Sequence, residues 1–225
     1  MKLDGLMRRR SFLGMLVTSS VSFSCQNSLS TLKRPTLTRT VQNSPPETIF
    51  STVEQSPEQL WSLLQQADET GYVILYRHAL APGVGDPSNF QLNDCSTQRN
   101  LSQEGRQQAI RLGQAIRSRN IIVTRVLSSQ WCRSLETAQL MNVGKVEPYE
   151  PLNSFFENRS QANAQTSQVR QFIWECRFEH GVIIMISHQV NILALSEVSL
   201  FSGEGVVLRV RNEPPSIVVL GRLSA

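Results

Sequence analysis

Tyr72-Val73-Ile74-Leu75-Tyr76-Arg77-His78-Ala79 opens as a β-strand and closes on two basic side chains. An unbroken apolar run rich in β-branched and aromatic residues, preceded by Gly71, reads as a strand buried on both faces. Such strands belong to parallel sheets clothed by helices. Open α/β sheets collect their ligands at the carboxyl ends of their strands, which is where Arg77 and His78 fall. Imidazole beside guanidinium suits a phosphoryl group: one can attack phosphorus while the other neutralises its oxygens. Taken alone, the pair fits better a strand that leaves the core through two solvated residues.

Two later stretches repeat the arrangement. Arg125–Ser129 reads as a short strand, and Gln130–Met141 as the helix after it, with Arg133 in its first turn. Backbone N–H groups at such a helix start favour an anion. Gly181–Ser187 is a second fully apolar strand, and it ends on His188. Helices are expected between the strands. Ser56-Pro57-Glu58-Gln59 carries a capping-box pattern with proline at the first helical position. Ser102 caps a second helix, and Val169, Phe172, Ile173 and Cys176 mark the apolar face of another. Lys145–Tyr149 fits a third strand, residues 151–165 read as irregular, and a helix is expected from Gln189 to Leu195. Residues 205–210 and 216–220 form two more strands around Pro214-Pro215. Strands alternating with helices predict a mostly parallel sheet covered on both faces, with Arg77, His78, Arg133 and His188 on one rim.

The balance of charge narrows the function classes. The net charge of +4 is concentrated in residues 1–30, which hold four Lys/Arg and one Asp; the remainder has 18 basic and 17 acidic residues. The body is therefore near neutral, and nucleic-acid binding is not expected. No apolar run is long enough to span a membrane. Cys25, Cys95, Cys132 and Cys176 form no C-x-x-C pair, and no Asp or Glu stands at ligand spacing from His78 or His188, so neither a metal nor another cofactor is expected.

The amino terminus reads as an export signal over 1–25. Arg9-Arg10-Ser11-Phe12-Leu13 resembles a twin-arginine signal and precedes a short apolar stretch. Ser22-Phe23-Ser24-Cys25 resembles an imperfect lipobox, which makes a lipid anchor at Cys25 an alternative. Residues 26–55, rich in Ser, Thr, Asn, Gln and Pro, read as a flexible linker, and the folded domain is expected over 56–225. The protein is expected in the periplasm or on the outer face of a bacterial cytoplasmic membrane.

Four ordered blocks carry a family resemblance. They are Arg77-His78; Leu101-Ser102-Gln103-Glu104-Gly105-Arg106-Gln107-Gln108-Ala109; Ser128-Ser129-Gln130-Trp131-Cys132-Arg133-Ser134-Leu135-Glu136-Thr137-Ala138; and Ser187-His188. Together they resemble the histidine phosphatase superfamily, branch 1 (phosphoglycerate-mutase-like), in the manner of its small exported bacterial members. The resemblance implies a three-layer α/β/α sandwich. It also implies His78 as nucleophile, a phosphate pocket of Arg77, Arg133 and His188, and no metal. The expected activity is hydrolysis of a phosphomonoester (a phosphosugar, an envelope glycan phosphate or a phosphoprotein) through a phosphohistidine. A non-catalytic phosphate- or phosphoglycan-binding module on the same fold is the alternative.

Two positions depart from the family pattern. Ala79 replaces the usual glycine after the histidine, and its methyl group is expected to crowd the turn or alter its dihedrals. The family's acid is not marked: Glu157 and Asp86 are the candidates, and each otherwise reads as a solvated loop carboxylate. Cys95, in the long loop 79–100, and Cys132, beside Arg133, are expected at the same rim, where an oxidising compartment permits a disulfide.

Overall fold

The computed structural model describes residues 55–66, 71–212 and 215–224. The expected signal and most of the linker lie outside them. Helix α1 (Pro57–Gln65) starts at Ser56, whose hydroxyl accepts from the Gln59 amide while the Gln59 side chain accepts from the Ser56 amide. Strand β1 (Tyr72–Arg77) leads into the loop 79–100, which is interrupted by a single 3-10 turn at Cys95–Thr97. Then follow α2 (Gln103–Arg117), β2 (Val123–Ser128), α3 (Cys132–Met141), β3 (Val146–Pro148), α4 (Ala162–Glu175), β4 (Val182–Ser187), α5 (Gln189–Ser196), β5 (Gly205–Asn212) and β6 (Pro215–Leu223).

The sheet runs β3-β2-β4-β1-β5-β6. The first four strands are parallel, whereas β5 runs antiparallel to β1, and β6 to β5. Side chains alternate across it, as the pleat demands. Tyr72, Ile74 and Tyr76 join Leu60, Leu112, Ile116, Ala138 and Met141 in the core under α1, α2 and α3. Val73 and Leu75 join Val169, Ile173, Ile192 and Leu195 under α4 and α5. Both faces are covered, so the architecture is the expected three-layer α/β/α sandwich with a mostly parallel central sheet.

Register positions the rim. Across β1 and β4 the pairing runs from Tyr72–Val182 to Arg77–Ser187. His78 and His188 each follow the last pair, so they leave the sheet side by side. On the far side of β4, Ser128 pairs with Ile186, and the chain passes through Ser129 to α3 and Arg133.

Several boundaries differ from expectation. Strand β2 begins at Val123, and α3 begins at Cys132 because Gln130 and Trp131 form the turn into it. Strand β3 is only Val146–Pro148, and α4 already starts at Ala162, within the stretch read as irregular. Polar residues opened that helix, and its apolar stripe begins only at Val169.

Candidate active site

The sheet brings His78, Arg77, Arg133 and His188 to a cleft of about 830 Å³ at the carboxyl rim. The two histidine rings stand edge to face, 5.4 Å apart between centroids. His78 Nδ1 lies 2.8 Å from the Ala79 carbonyl, an acceptor, so this nitrogen carries the proton. That leaves the Nε2 lone pair facing the cleft, where it accepts from Arg133 Nε at 3.2 Å. Burial, then the Arg133 charge, pushes His78 down to about 3, against a raising effect of the Ala79 carbonyl. The ring is neutral at physiological pH, as a nucleophile must be.

His188 holds the opposite tautomer. Ser129 Oγ lies 2.8 Å from its Nε2 and donates in turn to Asn153 Oδ1, which assigns the proton to His188 Nε2. Its Nδ1 faces the guanidinium of Arg133 at 3.4 Å. Burial, followed by His78 and Arg133, holds His188 well below the usual imidazole range.

Arg77 is half-buried and anchored by NH1 donating to the Leu200 carbonyl at 2.9 Å. Its buried Nε–H has no hydrogen-bond partner among the described residues. Arg99, in the loop 79–100, is a third guanidinium there. Its Nε donates to the Gly85 carbonyl at 2.9 Å and its NH1 to the Ala81 carbonyl. Three guanidiniums around two neutral imidazoles make a strongly anion-attracting site.

The start of α3 differs from expectation. The Gln130 amide donates to Asn153 Oδ1, the Trp131 amide to Ser129 Oγ, and the Cys132 amide to Gln98 Oε1. These amides are occupied by side chains, so guanidiniums are left as the main anion donors. Ala79 is also easily accommodated. It lies in a small apolar cluster with Ala81, Leu101 and Ala109, its amide donates to Thr137 Oγ1 at 3.0 Å, and its backbone does not take a left-handed φ. Crowding was expected from the missing glycine, but neither position nor dihedral requires one here.

The two carboxylates fare differently. Glu157 is exposed at the mouth, its Oε1 close to Gly85. Asp86 is not the solvated residue that its loop suggested: Oδ1 accepts from Arg133 NH1 at 2.7 Å and Oδ2 from NH2 at 3.1 Å, while the Trp131 indole donates to Oδ2 at 3.0 Å. Burial works to raise its pKa, yet the bonds and charge of Arg133 prevail and hold the carboxyl below its ordinary range. Nothing in the local sequence marks this, because the pairing spans 47 positions. The wall beside it is Phe90 stacked on Trp131, 5.0 Å between centroids. A disulfide joins Cys95 to Cys132, tying the loop that bears Asp86 and Arg99 to the first turn of α3. Among the described residues, no group of three or more His, Cys, Asp or Glu could hold a metal ion, and no helix is long and apolar enough to cross a membrane.

A doubly covered, mostly parallel sheet thus carries paired histidines and arginines at its carboxyl rim. Residues 73–158 match the family model of the histidine phosphatase superfamily (branch 1). Solved structures share the fold. Mycobacterial hydrolase 1 superposes with a TM-score of 0.51 at 16% identity, over 68% of this chain and 99% of its own. The phosphoserine phosphatase of Entamoeba histolytica, in complex with 3-phosphoglyceric acid, superposes with a TM-score of 0.50 at 16% identity, over 68% and 97%. By sequence, the chain matches none of the curated proteins.

Proposed function

We propose that the protein is a phosphatase that hydrolyses phosphomonoesters through a phosphohistidine formed on His78. One observation carries this reading: the Nε2 lone pair of a buried, neutral His78 faces a cleft ringed by Arg77, Arg99 and Arg133. In the first step Nε2 forms a bond to phosphorus, the bond from phosphorus to the leaving oxygen breaks, and that oxygen takes a proton from an acid. In the second, water attacks the phosphohistidine and phosphate departs. The guanidiniums stabilise charge on the equatorial oxygens, the largest contribution expected in phosphoryl transfer. His188 completes that pocket and donates from Nδ1 once protonated.

The Phe90–Trp131 wall offers a flat apolar surface to a leaving group, which favours a phosphorylated small molecule or glycan carrying a ring. The twin-arginine-like signal supports export, and the Cys95–Cys132 disulfide supports an oxidising compartment.

Steady-state hydrolysis of aryl and sugar phosphates by the domain tests the reading. Wild-type protein is expected to turn over, and Arg133→Ala to lose on the order of a hundredfold or more in kcat/KM. Tight phosphate binding with no turnover of any ester would instead indicate the binding module.

A further inference from the structure

Arg133 has no N–H left for a substrate. A guanidinium carries five N–H donors. Nε donates to His78 Nε2, NH1 to Asp86 Oδ1 and to the Arg99 carbonyl at 3.5 Å, and NH2 to Asp86 Oδ2 with His188 Nδ1 beside it at 3.4 Å. Its side chain is only 3% exposed. The outward fork, the edge that matches a phosphoryl group bidentately, is filled by the two oxygens of Asp86. Arg77, by contrast, keeps a buried Nε–H with no hydrogen-bond partner among the described residues.

We propose that Asp86 occupies the phosphate position on Arg133 in the free protein, is displaced by the substrate phosphoryl group, and then acts as the proton donor to the leaving oxygen. The proposal rests on the phosphatase reading above and supplies its missing acid.

Asp86 is built to change partners without leaving the cleft. Trp131 Nε1 and the Arg99 amide, the latter at 3.3 Å from Oδ1, also hold the carboxylate, and neither belongs to Arg133. The carboxylate follows Gly83 and Gly85, both at positive φ, so its loop backbone takes turns that glycine adopts without strain. Displacement also reverses its proton affinity. Arg133 supplies the chief influences that lower it, burial opposes them, and an incoming dianion adds repulsion. The balance is closed: an ester arriving as its monoanion passes its proton to Asp86 as its oxygens replace the carboxylate on Arg133. The bond from His78 Nε2 to phosphorus forms, the bond to the leaving oxygen breaks, and the proton moves from Asp86 to that oxygen.

Asp86→Asn tests both halves, with Glu157→Gln beside it and thermal melts of each to establish folding. Asparagine competes poorly for Arg133, so inorganic phosphate is expected to bind Asp86→Asn on the order of tenfold more tightly than wild type. With alkyl phosphates, whose leaving oxygen needs a proton, kcat should fall on the order of a hundredfold or more; with 4-nitrophenyl phosphate it should change little. Calorimetry in buffers of different ionisation enthalpy adds a readout on the wild type. Phosphate dianion binding should take up about one proton, and Asp86→Asn should lose that uptake. Unchanged or weaker phosphate binding by Asp86→Asn overturns the displacement. A leaving-group dependence that appears in Glu157→Gln instead, or proton uptake that survives in Asp86→Asn, overturns the acid assignment. A wild type that hydrolyses no ester overturns the phosphatase reading, while the affinity comparison still reads the displacement.

Discussion

At the residue scale, the site depends on keeping two histidines neutral inside the protein. Both are buried, and each has its proton assigned by a fixed acceptor: the Ala79 carbonyl for His78 and Ser129 for His188. The unfolded chain binds protons at these residues near pH 6.5, but folded His78 does so only near pH 3. Between those values the unfolded state binds more protons, so stability falls as pH falls. His188, lowered in the same direction, adds to the effect. Each contributes up to about 1.4 kcal/mol per pH unit within that window. Chemical melts of the ligand-free domain from pH 7 to pH 5 should show the loss, and His78→Gln with His188→Gln should flatten it. An equal slope in that double variant would refute neutral burial of the histidines. The residues that carry the proposed chemistry were legible because they stand at strand ends or in a helix's first turn. Asp86 was legible only as one of two candidate acids, without its pairing to Arg133, and Arg99 was given no role, because a loop has no periodicity to say where a side chain points.

At the element scale, two connections hold Arg133 in place. Helices α2 and α3 touch backbone to backbone at Gly113, where an added methyl carbon would lie 1.8 Å from the Met141 carbonyl oxygen. Gly113→Ala should therefore force the helices apart and destabilise the fold by about 1–3 kcal/mol, read by denaturant melts. A neutral effect would mean that the helices shift freely. The second connection is the disulfide, which closes a sequence separation of 37 between the 79–100 loop and α3. Replacing both Cys95 and Cys132 by Ser should cost about 3–4 kcal/mol on the chain-entropy account. It should also raise KM with every ester, because Arg99 rides on that loop, and lower kcat only where the leaving oxygen needs the proton of Asp86, which rides there too, while His78 follows β1. An equal fall in kcat with 4-nitrophenyl phosphate would place the disulfide's role at His78 instead. The apolar face of α2 was readable from its spacing, but the close approach at Gly113 was not, since it depends on which helix lies alongside.

At the scale of the whole molecule, a site built from segments more than a hundred residues apart exists because β1 and β4 are neighbours in register. The sequence displayed each strand as an apolar run, and alternation with helices indicated a mostly parallel sheet. It did not display the order β3-β2-β4-β1-β5-β6, which is set by packing between distant segments. The antiparallel pair β5 and β6 extends the sheet beyond β1, covering its edge and leaving the parallel carboxyl rim to the cleft. That arrangement places His78 and His188 together but gives them different surroundings: His78 has Nδ1 tied to the Ala79 carbonyl and Nε2 facing Arg133, whereas His188 has Nε2 tied to Ser129 and Nδ1 facing Arg133. The central claim is that His78 is the attacking group. Base-quenched trapping with a ³²P-labelled phosphomonoester, followed by peptide mapping at alkaline pH, tests it most directly. The account predicts acid-labile, base-stable label on the peptide containing His78, absent from His78→Ala and present at a reduced rate of formation in His188→Ala. Label on His188, or none on either residue in protein that hydrolyses the ester, would contradict it.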